Sequence, residues 1–535
     1  MADAAAGVPD DAFVEGIVKT GEECEAKLVA PDAMALAGAV ELARACGAQV
    51  GSGHHYRMRD IYLDTEDGWL ARAGIGLRVR RVGRREIFTA KTRRSAPGRL
   101  TRRIEWEEEH SAGRFRPPGP LPRGRLASWL KRSRGPTSLS CLIELDHERR
   151  QHDAWLPGGA RAKLCLDRVQ VAGRQPPPEW CEIEMELVDG PSRALKRFAR
   201  RFESASGWRR DGLSKLERAL RLAGVSEPPP PDPRSHRIRA RDRLAEAAWQ
   251  VLRLRFAEFR WNEPGARAGL DPDYLHDMRV AARRMRAALR IFRGALPPDF
   301  VERADRELRH FFANMGRVRD LDVGLSLLRA RIPEDDASGA AAWIERLERR
   351  RKRAWNRMLR DFVSPRYDRF LSFMEGALAS DPPTGAAAPR AGHRVGDHAP
   401  KILRRAFRKA LDSAFAIDAG AAEADFHAVR IRFKKLRYAV EFFADLRPRA
   451  TRKLGAELAE IQDVLGEFQD EVVLRTLLRQ GGNRGLSRNL IAARERMEQQ
   501  IERRIADRQR DFLRLRKRLR LKSFRKLMDK INGRK

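Results

Sequence analysis

The chain has 535 residues, more than one ordinary core accommodates, and 42% of them are hydrophobic, enough to bury two or three domains. Lys and Arg number 109 against 74 Asp and Glu, a formal charge of +35 that calls for a polyanionic partner without separating DNA, RNA, anionic lipid or polyphosphate. Five cysteines without a CxxC pair argue against a disulfide framework, and neither a basic start followed by an apolar run nor a stretch of about eighteen apolar residues occurs, so a soluble cytoplasmic protein with no membrane partner is expected.

Between residues 21 and 208 the pattern is of short alternating segments separated by Gly, Pro and Asp, which predicts a largely antiparallel, strand-rich unit. Residues 33–46 and 193–204 read as helices within it. Glu227-Pro228-Pro229-Pro230-Pro231-Asp232-Pro233 cannot lie inside a helix or sheet, because its prolines fix the backbone and remove amide donors, and the domain boundary is placed there. Beyond it helical periodicity prevails, apart from a loop at residues 382–398 and a break at Gly481-Gly482-Asn483.

The helical half repeats itself. His276-Asp277-Met278-Arg279-Val280-Ala281-Ala282-Arg283-Arg284-Met285-Arg286 is echoed by His427-Ala428-Val429-Arg430-Ile431-Arg432-Phe433-Lys434-Lys435-Leu436-Arg437. Each is followed by a second shared phrase, Gly316-Arg317-Val318-Arg319-Asp320 and Gly466-Glu467-Phe468-Gln469-Asp470. A spacing of roughly 150 residues exceeds that of solenoid repeats and predicts two pseudo-symmetric four-helix bundles.

In the first half, Glu23-Cys24-Glu25-Ala26-Lys27 puts two carboxylates and an ammonium on one strand face, where a half-buried strand would hide apolar groups. The same inversion recurs in Arg78-Val79-Arg80, in Thr89, Lys91 and Arg93, in Arg103-Ile104-Glu105-Trp106-Glu107 and in Glu182-Ile183-Glu184-Met185-Glu186. One such face is ordinarily a solvated exterior. Five together suggest a sheet rolled with its apolar face outward against helices, lining its lumen with carboxylates suited to Mg²⁺ or Mn²⁺ and cations suited to phosphate. By parity Cys24 points to the opposite face, as core.

Those phrases, with Tyr62-Leu63-Asp64-Thr65, Leu166-Asp167-Arg168 and Ser214-Lys215-x-x-Arg218, resemble in content and order the CYTH domains, the triphosphate tunnel metalloenzymes. The resemblance spans residues 18–222 and implies an α+β domain with an eight-stranded antiparallel β tunnel. It implies Glu23, Glu25, Asp167, Glu184 and Glu186 as metal ligands, with Glu182 on the same face. It further implies Glu23, Glu25, Lys27 and Lys215 as catalytic, and Arg57 or Arg59, Arg78, Arg80, Lys91, Arg103 and one of Arg149 and Arg150 as phosphate-binding.

On helices, His276, Arg279, Arg283, Arg286 and Arg290 form one cationic stripe, and His427, Arg430, Lys434 and Arg437 another. Uninterrupted positive charge is costly unless a polyanion relieves it. Residues 235–530, joined to the first domain by residues 223–234, resemble the CHAD domain, which implies an all-α unit of two four-helix bundles with a basic cleft for inorganic polyphosphate. Glu441 stands where the first stripe has Arg290, which weakens the second copy.

The reading expected is a Mg²⁺- or Mn²⁺-dependent inorganic triphosphatase whose helical domain docks on polyphosphate, in some cells at granules. A non-catalytic polyphosphate scaffold, or a tunnel for a nucleoside or thiamine triphosphate, remains open. Specific nucleic-acid binding is not expected, since no recognition motif or aromatic stacking series is present. The sequence leaves oligomeric state undetermined.

Overall fold

The computed structural model describes residues 20–92, 101–111, 113, 115–133, 135, 138–210, 212–225, 229–232, 237–331, 337–384, 388–480 and 488–517. The chain divides into two compact units, Met1–Pro229 with Pro264–Asp271, and Pro230–Glu263 with Pro272–Lys535. Part of the proline-rich run and all of Gly481-Gly482-Asn483 lie outside the described residues.

The first unit is built on nine strands: β1 (Thr20–Ala30), β2 (Gln49–Asp64), β3 (Ile75–Val82), β4 (Arg85–Thr92), β5 (Thr101–Ser111), β6 (Ser140–Leu156), β7 (Ala160–Val171), β8 (Glu179–Asp189) and β9 (Arg209–Arg210). They form one antiparallel sheet in the order β5-β4-β3-β2-β6-β7-β8-β1-β9, with β1 also meeting β5. This corrects the expected eight-stranded tunnel in number and in closure. β1 pairs with β5 only over Thr20 to Glu25, because β5 begins at Thr101 opposite Glu25; beyond that point β9 takes the β1 edge at Leu28 and Val29. The sheet is therefore not closed along its whole length.

Among the described residues six helices accompany it: α1 (Ala33–Ala37), α2 (Ala39–Ala45), α3 (Trp69–Arg72), α4 (Arg125–Arg132), α5 (Ser192–Ser206) and α6 (Lys215–Leu222). The helix read at residues 33–46 is broken at Gly38, which caps α1 and begins α2. Alternation along the strands decides what these helices cover. Ala26, Leu28, Leu164, Leu166, Cys181, Ile183 and Met185 pack with α1, α2 and α5, and Ile61, Leu63, Leu77, Val79, Phe88 and Ala90 pack with α3 and α4. The alternate residues of the same strands face the other way. At one end of that face Leu145, Val169, Val171 and Trp180 bury Leu216, Ala219 and Leu220 of α6.

The second unit is helical: α7 (Leu244–Ala268, of which the residues from Pro264 belong to the first unit), α8 (Pro272–Ile291), α9 (Pro298–Arg329), α10 (Ala337–Phe362), α11 (Pro365–Ala379), α12 (Val395–Phe415), α13 (Glu423–Phe442), α14 (Pro448–Gln480) and α15 (Arg488–Arg516). The repeat shows in helix lengths. α8 and α13 each have 20 residues, and each leads through a short 3₁₀ turn, Arg293–Ala295 or Ala444–Leu446, into a long helix of 32 or 33 residues. α8 packs on α13 and α9 on α14. Nine helices stand among the described residues where two four-helix bundles predict eight. The extra one arises where Ser364 caps a helix that Pro365 begins, since proline lacks the amide that continuing α10 would need. Tyr367 then seats its ring against Phe311, Phe362 and Phe370.

Candidate functional site

Buried charge marks the inner face of the sheet. Register sets Lys27 opposite Glu184, and Asp167 opposite both Arg149 and Glu182. Glu25, Lys27, Arg149, Asp167, Glu182, Glu184 and Lys215 are all at most 9% exposed, so this part of the charged face is as buried as the apolar one.

Lys215 stands at the centre. Ser214 and Glu217 form a capping box that fixes where α6 starts, and the packing of Leu216, Ala219 and Leu220 aims its first residue into the carboxylates. The Lys215 Nζ lies 2.9 Å from Asp167 Oδ2, 2.6 Å from Glu182 Oε1 and 2.7 Å from Glu184 Oε1. Lys27 Nζ meets the same Glu184 oxygen at 2.7 Å and Glu182 at 3.4 Å. Arg149 donates two hydrogen bonds of 2.7 Å to Asp167 and one of 2.6 Å to Glu184, with its other nitrogen 3.9 Å from Glu186. The Trp180 indole donates to Glu182 at 2.9 Å.

A second layer adjoins the first. Asp60 accepts two hydrogen bonds from Arg80, at 2.7 and 2.8 Å, and Arg78 stands 3.5 Å away. Buried His147 links the layers, its Nε2 2.9 Å from Asp167 and its Nδ1 3.8 Å from Asp60. Lys91 pairs with Glu105 at 2.9 Å on the neighbouring strands.

These neighbours reverse what burial alone would do. Burial raises the pKa of Asp167, but Arg149, Lys215 and His147 hold it well below the usual carboxylate range. Burial is likewise outweighed at Glu184 by Lys215, Lys27 and Arg149, and at Glu182 by Lys215 and Lys27. At Lys27 and Lys215 burial pulls downward, and the facing carboxylates carry both above the ordinary lysine value.

Two carboxylate triplets bring one oxygen each within 4.8 Å of one another: Glu25, Glu184 and Glu186, and Asp167, Glu182 and Glu184. Oxygen-only donor sets of this kind suit Mg²⁺ or Mn²⁺. Of the expected residues, Glu25, Lys27, Asp167, Glu184, Glu186, Lys215 and Arg149 gather here, with Arg78, Arg80 and Lys91 alongside. The side chains of Glu23 and Arg103 lie outside the described residues; the backbone sets these residues opposite each other on β1 and β5.

Arg57, Arg59 and Arg150 are not brought to this face. Arg57 pairs with Glu148 and Arg59 with Asp146 on an exposed surface, and Arg150 is exposed beside them. Parity is the reason: Arg57 and Arg59 share the side of Ile61 and Leu63, which enter the outer core. The same rule read from Ile61 selects Asp60, which sequence reasoning missed together with His147.

In the second unit His276 and His427 each stand fifth in α8 and α13. Burial lowers Arg279, Arg430 and Lys434, and the nearby Arg283 guanidinium lowers each of them further. Burial first, then Arg283 and Arg430, push the Lys434 ammonium down to about 6. The Arg279 guanidinium donates to the Phe312 carbonyl at 2.9 Å and covers the Phe312 ring. The stripes are not free of acids: Arg286 meets Asp305 at 2.8 Å with Arg290 nearby, and Glu441 takes Arg437 and Arg284. His427 hydrogen-bonds Gln469 of the second shared phrase.

The fold and its buried charged face define a large antiparallel-sheet domain with carboxylate clusters that could hold a divalent ion, followed by a helical module. A family model of the CYTH domain matches residues 22–220 and one of the CHAD domain matches residues 250–479, so the chain carries a CYTH domain followed by a CHAD domain. Among solved structures it is similar to the CHAD domain from the plant Ricinus communis, at 26% identity over 54% of this chain and 96% of that one, with a TM-score of 0.45. It is also similar to PptA from Streptomyces chartreusis, at 19% identity over 51% and 99% with a TM-score of 0.43. HpAC1 from Hippeastrum, an adenylyl cyclase by name with a dominant triphosphatase activity, matches at 17% identity over 38% and 98% with a TM-score of 0.26. No described helix is long and apolar enough to cross a membrane.

Replacing Lys215 by Met leaves three buried carboxylates short of a cation, and thermal unfolding followed by tryptophan fluorescence should show a loss of about 3–5 kcal/mol. Because Asp167, Glu182 and Glu184 have depressed folded values, their contribution is present above about pH 4 and lost as pH falls through those values; the raised lysines contribute below about pH 10.4 and lose it above their folded values. Stability in the first unit should therefore hold from about pH 5 to 9 and fall at both extremes. A decline already complete at pH 5 overturns this assignment.

Proposed function

We propose that the CYTH domain hydrolyses inorganic triphosphate with Mg²⁺ or Mn²⁺, and that the CHAD domain binds inorganic polyphosphate and directs the protein to it, in the cytoplasm and at polyphosphate granules. The observation that carries this reading is the sharing of one buried face by clustered carboxylates and clustered cations. A metal–triphosphate satisfies both sets at once, and neither set alone requires it.

Glu25, Glu184 and Glu186 would hold a divalent ion, which when bound lowers the pKa of water and polarises a phosphoryl oxygen. Lys27, Arg78, Arg80, Lys91, Arg149 and Lys215 grip phosphate oxygens and offset charge spreading over the transferred group. Buried water-poor surroundings strengthen each of these contacts. No side-chain nucleophile is needed. Cys165 lies on the same face opposite Glu184, yet burial pushes its thiol up, so it stays protonated.

In the CHAD domain, Arg279, Arg283, Arg430 and Lys434 from α8 and α13 form the centre of the anion site, with His276, Arg286, Arg290, His427 and Arg437 extending it along the two helices. Crowded cations at this centre raise the energy of the free protein, and a bound polyanion relieves it.

Phosphate release from tripolyphosphate with Mg²⁺ or Mn²⁺ tests the enzyme reading. The double change Glu23→Ala and Glu25→Ala should lower release by at least about 100-fold, some 2.7 kcal/mol of transition-state stabilisation, while polyphosphate binding survives. No release by the intact protein under either metal makes the non-catalytic scaffold the better account.

Affinity for long-chain polyphosphate should rise as pH falls from about 8 to 5.5. Lys434 titrates near 6 when free, and a bound polyanion raises that value, so its contribution is complete below about 6 and lost above the bound value. Lys434→Met should flatten the profile in a titration at constant ionic strength. An equally steep profile in the variant assigns the effect to another group.

A further inference from the structure

The internal repeat of the helical unit supplies its own comparison. Aligned on the two shared phrases, Arg284, Arg286, Arg290 and Arg293 correspond to Lys435, Arg437, Glu441 and Ala444, and Asp305, Arg306 and Arg309 to Gly455, Ala456 and Ala459. In the second copy Glu441 acts as a built-in anion: its carboxylate accepts from Arg437 at 2.8 Å and from Arg284 of α8 at 3.2 Å. The equivalent corner of the first copy has Arg286 and Lys435 in those two places and Arg290 in place of the carboxylate. Burial lowers the Lys435 ammonium, and Arg290, Arg432, Lys409 and Arg286 lower it further, so Arg290 neighbours Lys435 as Glu441 neighbours Arg284.

Arg290 also lines a cavity of about 530 Å³ between the end of α8 and the start of α9, where Arg293, Arg306 and Arg309 stand with it against Glu302 and Asp305. Leu289 and Val301 form its apolar wall. Three guanidiniums share Asp305, those of Arg286 at 2.8 Å, Arg309 at 3.2 Å and Arg290 at 3.8 Å, so this carboxylate gathers them without neutralising them. None of the four lining arginines has a basic counterpart in the second copy, although α13 and α14 match α8 and α9 closely in length. The packing of such a corner therefore does not require them, and crowding them there is costly unless an anion relieves it.

We infer that the α8–α9 corner is a separate site that holds an oligophosphate by its terminal phosphate, and that Glu441 closes the equivalent corner of the second copy to anions. This rests on the polyphosphate reading above and gives it a direction. A terminal phosphate carries about two charges near pH 7 against about one for each internal group, and guanidinium forks take such a group two oxygens at a time. A chain lying on Arg279 and Arg283 passes Arg286 and Lys435 and stops among Arg290, Arg293, Arg306 and Arg309, because Leu289 and Val301 offer its charge no partner beyond them. The group recognised is the same in a short free chain and at the end of a long one.

Two polyphosphates of equal length, one with free terminal phosphates and one with both ends esterified, separate recognition of an end from recognition of a segment. Titrated against the full chain in EDTA at constant ionic strength, the free-ended polymer should bind at least about 10-fold more tightly, a comparison that needs no variant. Arg293→Ser combined with Arg306→Ser, which changes two exposed side chains, should bind both polymers with the weaker affinity. Arg290→Glu, which copies the second corner, should do the same. If excess tripolyphosphate cancels the preference, a short free chain fills the site as well; if the preference persists, the site takes polymer ends alone. Equal binding of the two polymers by the unmodified protein, or an undiminished preference in both variants, overturns the inference and leaves the polyphosphate reading standing. No binding of either polymer removes both.

Discussion

An ammonium held among three buried carboxylates is the contact on which the first unit depends. Lys215 reaches Asp167, Glu182 and Glu184 only because α6 begins where it does, and α6 is held there by an apolar surface on the same sheet face. Without matching cations, those acids would be protonated or would open the face to water. Lys27 and Arg149 complete the balance, and Arg78 and Arg80 do the same for Asp60. The result is a face prepared at the cost of desolvation, in which charges are fixed before any ligand enters.

The second unit solves the opposite problem. There cations predominate, drawn together by the packing of α8 on α13, with Asp320 and Asp470 among the acids set against them. Hydrophobic packing of the two helices supplies the energy that holds like charges close, visible in the full burial of Met278, Met285, Phe433 and Leu436 behind the cationic sides. One domain thus carries balanced buried charge and the other unbalanced charge. The first arrangement suits a small metal-bound anion, the second an extended polymer.

Much of this was legible from residue patterning. Strand parity in Glu23-Cys24-Glu25-Ala26-Lys27 and in Glu182-Ile183-Glu184-Met185-Glu186 announced two unlike faces, since a period of two admits no other assignment once one set is apolar. Equal phrases at His276 and His427 announced the helical repeat. The family resemblance implies Arg57 or Arg59, whereas their parity with Ile61 and Leu63 sets both outside. Choosing between Arg149 and Arg150 needed the β6–β7 register, in which Arg149 meets Asp167. Asp60 and His147 escaped notice because a single acid and a single histidine on separate strands carry no local signal.

What the sequence determined by itself was therefore periodic: two domains, a charged and an apolar side for each strand, duplicated helices and an excess of positive charge. Periodicity follows from backbone geometry, which every residue shares, and so it survives in one dimension. Tertiary structure alone decided the partnerships: that β9 takes the β1 edge where β5 falls short, that a residue from α6 fills a triplet on β7 and β8, and that α8 and α13 crowd their cations together. These depend on register and packing between segments far apart in the chain, where the energy of a buried charge changes with each ångström and no local pattern records the distance.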